Sequence, residues 1–146
     1  MKYAEIIYRL AIALWVGGGA LFTFVLTPLL FKTESRDTAG RIVGTFFPGY
    51  FRWGLACGIV ALLCRLILKG GRLDLATGIL VLMLAVSSFQ AFHVEPKAAA
   101  IKRQIVSFET TSKDDPLRRQ FSKLHGVSAV CNLAVVAGGV VLVILL

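Results

Sequence analysis

Charged residues are scarce in this chain, and acidic ones are scarcer than basic ones. Only 16% of its 146 residues are charged, with 8 Asp and Glu against 16 Lys and Arg, whereas 57% are hydrophobic. Soluble domains carry roughly 25% charged residues, and a small globule leaves too much of its surface exposed to conceal so much apolar area. We therefore predict that lipid surrounds most of the chain, whose length accommodates one domain over residues 1–146.

Residues that build soluble catalytic and redox sites are also few. The chain has 2 histidines and 3 cysteines, and Cys57, Cys64 and Cys131 form no C-x-x-C pair. An odd number of cysteines inside apolar segments argues against a disulfide framework, so we interpret them as small packing residues. No phosphate-binding glycine loop, H-E-x-x-H motif or nucleophile elbow is present. We predict no cofactor, and an enzyme is the least favoured function.

The net charge of +8 comes from basic residues that lie between the apolar runs. They form no aromatic-interleaved stripe, so we predict no nucleic-acid partner and expect contacts with anionic lipid headgroups instead. The connections 32–41 and 97–123 together hold ten Lys and Arg, against about five on the opposite side. The positive-inside rule then places both connections in the cytoplasm and both termini outside. We expect the bacterial inner membrane.

Four apolar runs are each long enough to cross the roughly 30 Å of bilayer hydrocarbon. The first exceeds the apolar core of a signal peptide, so we interpret it as a retained span. The simplest packing is an all-α, up-down-up-down four-helix bundle. We expect a helical extension of the third helix over residues 97–108, a capping signal at 33–36 and a turn at Gly70-Gly71. The predicted spans cover residues 6–31, 48–68, 73–92 and 124–146.

Prolines and glycines suggest local features of these spans. Pro48 suits the first turn of the second helix, where its missing N–H would have no helical partner. Gly54 and Gly58 form a small-xxx-small pair that predicts a tight helix contact. Pro96 should kink the chain at the end of the third span.

A stripe of polar residues opens the fourth span. Polar residues inside a membrane are candidate functional residues by default. His125, Ser128 and Asn132 are spaced i, i+3 and i+7, so they share one helix face. Because a lipid-facing amide would be costly, we predict that this face points into the bundle.

The end of the third span lies at the same membrane face as this stripe. We predict a ligand-binding site formed by Glu95, His125, Ser128, Asn132, Gln90 and Arg52, with His93, His125 and Glu95 as candidate metal ligands. Interhelical hydrogen bonds that only lock the helices would give the same pattern. Arg52 could equally anchor the chain at the interface, and Thr23 and Thr27 are expected to bond to their own helix.

Three segments carry a family resemblance: residues 47–51 (FPGYF), 95–97 (EPK) and 124–133 (LHGVSAVCNL). In them the chain resembles transmembrane protein 205 and its bacterial relatives. The resemblance implies a four-helix membrane protein of unestablished activity, whose eukaryotic member is linked to resistance to a platinum drug. Glu95, Pro96, His125, Ser128, Cys131 and Asn132 match the family pattern. His93 departs from it, because the family has an aromatic residue there.

Three functions remain open. The first is binding or transport of a small solute or ion through a polar site between the third and fourth helices. The second is a structural or assembly protein, a homo-oligomer included, whose polar residues only lock the packing. The third is a haem- or metal-linked membrane redox enzyme.

Overall fold

The computed structural model describes residues 1–145 and shows four helices that are each long and apolar enough to cross a membrane. No β-strand occurs within this described range. In the most apolar window of the fourth helix only 17% of the residues are fully buried. The chain is an integral membrane protein, and the all-α prediction is confirmed. The helices are α1 (Lys2–Thr33), α2 (Arg36–Lys69), α3 (Leu75–Lys102) and α4 (Pro116–Ile144).

The helices pack in up-down-up-down order, as predicted. α1 and α3 each contact both α2 and α4. The turn at 34–35 and the connection 103–115 meet at one end of the bundle, here called the loop end. Met1, the 70–74 turn and Leu145 lie at the opposite, terminal end. Leu146, the last residue of the predicted fourth span, lies outside the described residues.

The helix cap predicted at 33–36 and the turn predicted at Gly70-Gly71 are both present. The Ser35 hydroxyl accepts the Thr38 N–H at 3.2 Å and starts α2. Gly70 and Gly71 have φ angles of 59° and 80°, which favour glycine. The position predicted for Pro48 was wrong. The Ser35 cap begins the helix well before Pro48, which therefore lies in the interior of α2.

Two helices contain a π-helical segment immediately before a proline. Leu21–Leu26 precedes Thr27-Pro28 in α1, and Gln90–Val94 precedes Glu95-Pro96 in α3. A proline removes an N–H and its ring collides with the carbonyl four residues earlier, and a wider turn relieves both problems. At Pro96, where a kink was predicted, α3 has a π segment and continues as one helix to Lys102.

The helical extension of α3 is present but shorter than predicted, because it ends at Lys102 instead of residue 108. Asp37 of α2 accepts the Ser107 hydroxyl and the Phe108 N–H, the latter at 2.7 Å. Because Ser107 and Phe108 bond to Asp37 instead of continuing the helix, the chain over 103–115 forms turns.

Trp15 of α1 lies at a close helix contact. A Cβ on Gly54 would lie 2.8 Å from the Trp15 indole nitrogen, and a Cβ on Gly58 would lie 2.6 Å from Leu84. The close approach predicted from this glycine pair is therefore confirmed. Cys57 and Cys64 are free thiols in the same buried core.

Candidate functional site

A cavity of about 380 Å³ opens at the loop end between α2, α3 and α4. We call it the loop-end cavity. Three of the six predicted ligand-binding residues line it, namely Glu95, His125 and Ser128. Its other polar lining residues were not among those predicted from the sequence, and they are Arg41, Thr45, Lys102 and Arg103. Aromatic and small apolar side chains complete the wall: Phe47, Ala98, Ala99 and Phe121.

Lys102 lies on the face of α3 that carries Glu95, because seven residues make nearly two helical turns. Its ammonium crosses to α2 and donates a hydrogen bond to the Gly40 carbonyl. Gly40 and Gly44 have no side chains, and a Cβ there would lie 3.4 Å and 3.2 Å from Lys102 Nζ. The spacing from Glu95 was the one sequence signal that could have identified Lys102.

The charges around the loop-end cavity are predominantly positive. Arg41, Lys102 and Arg103 supply three cations, and Glu95 supplies the one formal anion of the lining. Glu95 is half-buried, and no cation of the described chain lies within ion-pair distance of it. The cavity therefore combines an excess of positive charge with an apolar wall.

The His125 ring is positioned by aromatic stacking. It stacks on Phe121 with ring centroids 6.0 Å apart and planes 12° apart. Phe121 in turn meets Phe108 of the connection edge-on at 4.9 Å. These contacts hold the imidazole at the cavity wall, where it can donate or accept a hydrogen bond.

Below the cavity, polar side chains bond helix to helix. The Ser128 hydroxyl donates to Gln90 Oε1 at 3.2 Å, and Gln90 is 2% exposed. One turn deeper, the Asn132 amide accepts from the Tyr50 hydroxyl and donates to the Thr23 hydroxyl. We call these five residues the polar layer. They confirm that Ser128 and Asn132 point into the bundle.

Both π segments contribute to the polar layer, through Thr23 and Gln90. The expectation that Thr23 and Thr27 bond to their own helix was wrong. The Thr23 hydroxyl accepts the Asn132 amide, and the buried Thr27 hydroxyl has no hydrogen-bond partner within the described chain. In the π segment around Thr23 the regular ladder of backbone acceptors is displaced.

The space beside the polar layer is very small. A pocket of about 20 Å³ lies against Tyr50, Gln90 and Asn132. A cavity needs roughly 10–15 Å³ of such volume to admit one water molecule. The polar layer therefore leaves no room for a larger solute to continue from the loop-end cavity into the bundle.

Two predicted site residues lie elsewhere. Arg52 lines a neighbouring cavity of about 350 Å³ between α2 and α3, which Glu95 also borders. His93 is exposed, stacks on Phe89 at 5.4 Å, and has its Nε2 3.0 Å from Lys97 Nζ.

The candidate metal ligands His93, His125 and Glu95 are not assembled into one site. Across residues 1–145 no group of three or more His, Cys, Asp or Glu side chains is placed to hold a metal ion. His93 precedes Glu95 by two residues, so their side chains lie on nearly opposite sides of the helix. This arrangement keeps His93 out of the loop-end cavity.

Comparisons with known proteins give a family without an assigned activity. Residues 10–107 match the family described as Domain of unknown function (DUF4149). The chain is also similar to an uncharacterized protein of Aquifex aeolicus (strain VF5), with 37% identity over 131 residues covering 87% of this chain and 86% of that protein. No solved structure matches the chain.

Proposed function

Since the chain belongs to the DUF4149 family, a family of unknown function, we propose that it binds a small amphipathic anion in the loop-end cavity. The observation that carries this proposal is the combination of three cations with an apolar wall in one space of about 380 Å³. Ligand sites are commonly clefts of this size, with mainly apolar walls and a few placed polar groups.

Each group of lining residues has a distinct part. Lys102 and Arg41 attract the anionic group of the solute, and low-dielectric walls strengthen that attraction. Phe47 and Phe121 contact its apolar portion. His125 donates a hydrogen bond that orients it, and Ser128, whose hydroxyl proton is donated to Gln90, can accept one. Glu95 rejects anions that approach its side of the cavity and selects for the orientation in which the charge faces Lys102.

Transport of the same solute would require the polar layer to open. Asn132 joins α4 to both α1 and α2, and Ser128 joins α4 to α3. Separation of these pairs would extend the cavity toward the terminal end. Asn132 and Gln90 would then become lining residues, as their inclusion in the sequence-based site supposes.

A titration of the purified full-length protein with benzoate tests this proposal. Benzoate carries one carboxylate on an aromatic ring and is small enough for the cavity. Lys102→Gln and His125→Leu should each weaken benzoate binding by about tenfold, which corresponds to about 1.4 kcal/mol. Isothermal titration calorimetry in detergent measures the change.

Lys97→Gln is the matched control, because Lys97 is an exposed lysine of the same helix outside the cavity lining. It should bind benzoate like the wild type. Circular dichroism checks that every variant keeps its helical content. Unchanged benzoate binding in both cavity variants, or none in the wild type, contradicts the proposal.

A second candidate function is structural. The polar layer favours it, because its side chains bond to one another across the helices: Asn132 bonds to Tyr50 and Thr23, and Ser128 bonds to Gln90. Such bonds between helices contribute roughly 0.6 kcal/mol each on average in membranes. The protein would then serve as a packing or assembly unit, and the benzoate titration would find no specific binding.

The likeness to transmembrane protein 205 and the orientation in the membrane are also part of the proposal. The resemblance to transmembrane protein 205 rests on the segments 47–51, 95–97 and 124–133. We also propose the bacterial inner membrane, with the loop end in the cytoplasm, where the excess of Lys and Arg belongs.

A further inference from the structure

Arg118, in the first turn of α4, is a buried cation without an anionic partner. The residue is 9% exposed. One of its nitrogens donates to the Thr111 carbonyl, and its guanidinium lies over the Phe108 ring, 5.7 Å from the centroid. No carboxylate of the described chain forms an ion pair with it. Buried charges are normally paired, because their desolvation is costly.

The neighbouring carboxylates are all committed elsewhere. Asp37 accepts from Ser107 and Phe108, and Asp115 accepts the N–H groups of Leu117 and Arg118 as the cap of α4. Asp114 pairs with Arg119 at 2.7 Å, and Glu109 accepts the Arg36 N–H at 3.3 Å. The described chain therefore forms no ion pair with Arg118, and Asp37 interacts with its charge only at longer range.

Arg118 faces an open cavity of about 490 Å³ on the connection between α3 and α4. Arg36 and Lys113 add two further cations to the wall, and Glu109 is its one acidic residue. The hydroxyl-bearing residues Thr110 and Ser112 also line it. This cavity is separate from the loop-end cavity, since the two share no lining residue.

The connection is fastened to the start of α2, which gives this cavity a fixed wall. Asp37 holds Ser107 and Phe108, and the Arg36 N–H bonds to Glu109. A guanidinium at the base, two cations at the rim and nearby hydroxyls form a donor set for a tetrahedral oxyanion. Arginine matches phosphate with two parallel hydrogen bonds.

We propose that this cavity binds a phosphate group, with Arg118 as its central ligand. The phosphate is that of an anionic lipid headgroup or of a free phosphate ion, since both present the same oxygens to the donors. The site lies at the loop end of a membrane-spanning bundle, where lipid headgroups are within reach.

The test follows the thermal midpoint of the purified full-length protein in detergent. One arm adds inorganic phosphate against chloride at matched ionic strength, and the other adds phosphatidylglycerol against phosphatidylcholine. The midpoint of the wild type should rise in at least one arm. A response to phosphatidylglycerol alone identifies a lipid headgroup, and a response to inorganic phosphate identifies the free ion.

Arg118→Gln should weaken the responsive ligand at least tenfold in a titration, whereas Arg119→Gln should bind like the wild type. Arg119 is the adjacent arginine, is exposed, and pairs with Asp114.

Arg36→Gln and Lys113→Gln alter only the rim of the cavity and should each weaken binding several-fold. These two variants test the proposal if Arg118→Gln does not fold. No response of the wild type in either arm overturns the proposal, as does unchanged binding in the Arg118 or rim variants. Lys102→Gln should retain the response, which separates this site from the loop-end cavity.

Discussion

One carboxylate ties together three features at the terminal end of the bundle. Asp74 caps α3 by accepting the Thr77 N–H at 3.0 Å and the Thr77 hydroxyl at 2.8 Å. Its other oxygen accepts from Arg65 of α2 at 2.5 Å, and Arg65 lies over the Tyr8 ring of α1 at 5.5 Å. Asp74 thus joins the 70–74 turn directly to α2 and, through Arg65, to α1. The Thr77 N–H, then Arg65 and the Thr77 hydroxyl, hold the pKa of Asp74 well below its usual range.

This lowered pKa predicts a stability that depends on pH. The carboxylate contributes fully above its unfolded pKa of about 3.9, and the contribution is lost as pH falls through the lower folded pKa. Between pH 7 and pH 3 the thermal midpoint should therefore fall more in the wild type than in Asp74→Asn. Circular dichroism melts in detergent measure both. Asp114→Asn serves as the control, because Asp114 is an exposed carboxylate paired with Arg119. An equal decline in wild type and Asp74→Asn contradicts the assignment.

At the scale of the helices, the close packing of α1 against α2 depends on missing side chains. Gly58 is buried, and an added Cβ would lie 2.6 Å from both Trp15 and Leu84. Gly58→Ala should therefore destabilise the bundle by about 1–3 kcal/mol through overpacking. Gly78 in α3 has nothing within 4 Å of its Cβ position, so Gly78→Ala should be neutral or slightly stabilising because alanine favours helices. Unfolding titrations with a denaturing detergent compare the two variants. Equal stability of the two would show that the contact of Gly58 with Trp15 does not constrain the helices.

The helices show how far local sequence signals reach. The apolar runs and the glycine pair Gly54 and Gly58 act over a few residues, so the number of helices, their order and one tight contact could be predicted. The start of α2 was predicted at Pro48, whereas the helix begins at the cap that the sequence signals over residues 33–36. The end of α3 depends on Asp37, which lies about seventy residues away in sequence. No local pattern reports such a partner.

The candidate site shows the same limit. The stripe of Ser128 and Asn132 was predictable from helical spacing, but its partners Tyr50 and Thr23 come from other helices. His93 was grouped with His125 because both lie at one membrane face, yet helix rotation directs it away from the cavity. The depth of a residue in the membrane can be predicted by counting residues along its helix. The relative rotation of neighbouring helices depends on packing, and here also on two π segments.

At the scale of the whole molecule, the two ends of the bundle differ in charge. The loop end carries both cavities with their cations, and the terminal end carries the ion pair of Arg65 and Asp74. The positive-inside rule therefore predicts the loop end in the cytoplasm. Two exposed residues report on the two ends, since Val106 is 97% exposed and Leu73 is 81% exposed.

A labelling experiment in spheroplasts checks this orientation. In a background with the three native cysteines replaced by alanine, Leu73→Cys should react with a membrane-impermeant maleimide added outside. Val106→Cys should react only after the membrane is permeabilised, because the loop end then becomes accessible. The reverse pattern would place the loop end outside the cell. The cations of both cavities would then face the external medium, and any lipid phosphate bound at Arg118 would come from the outer leaflet.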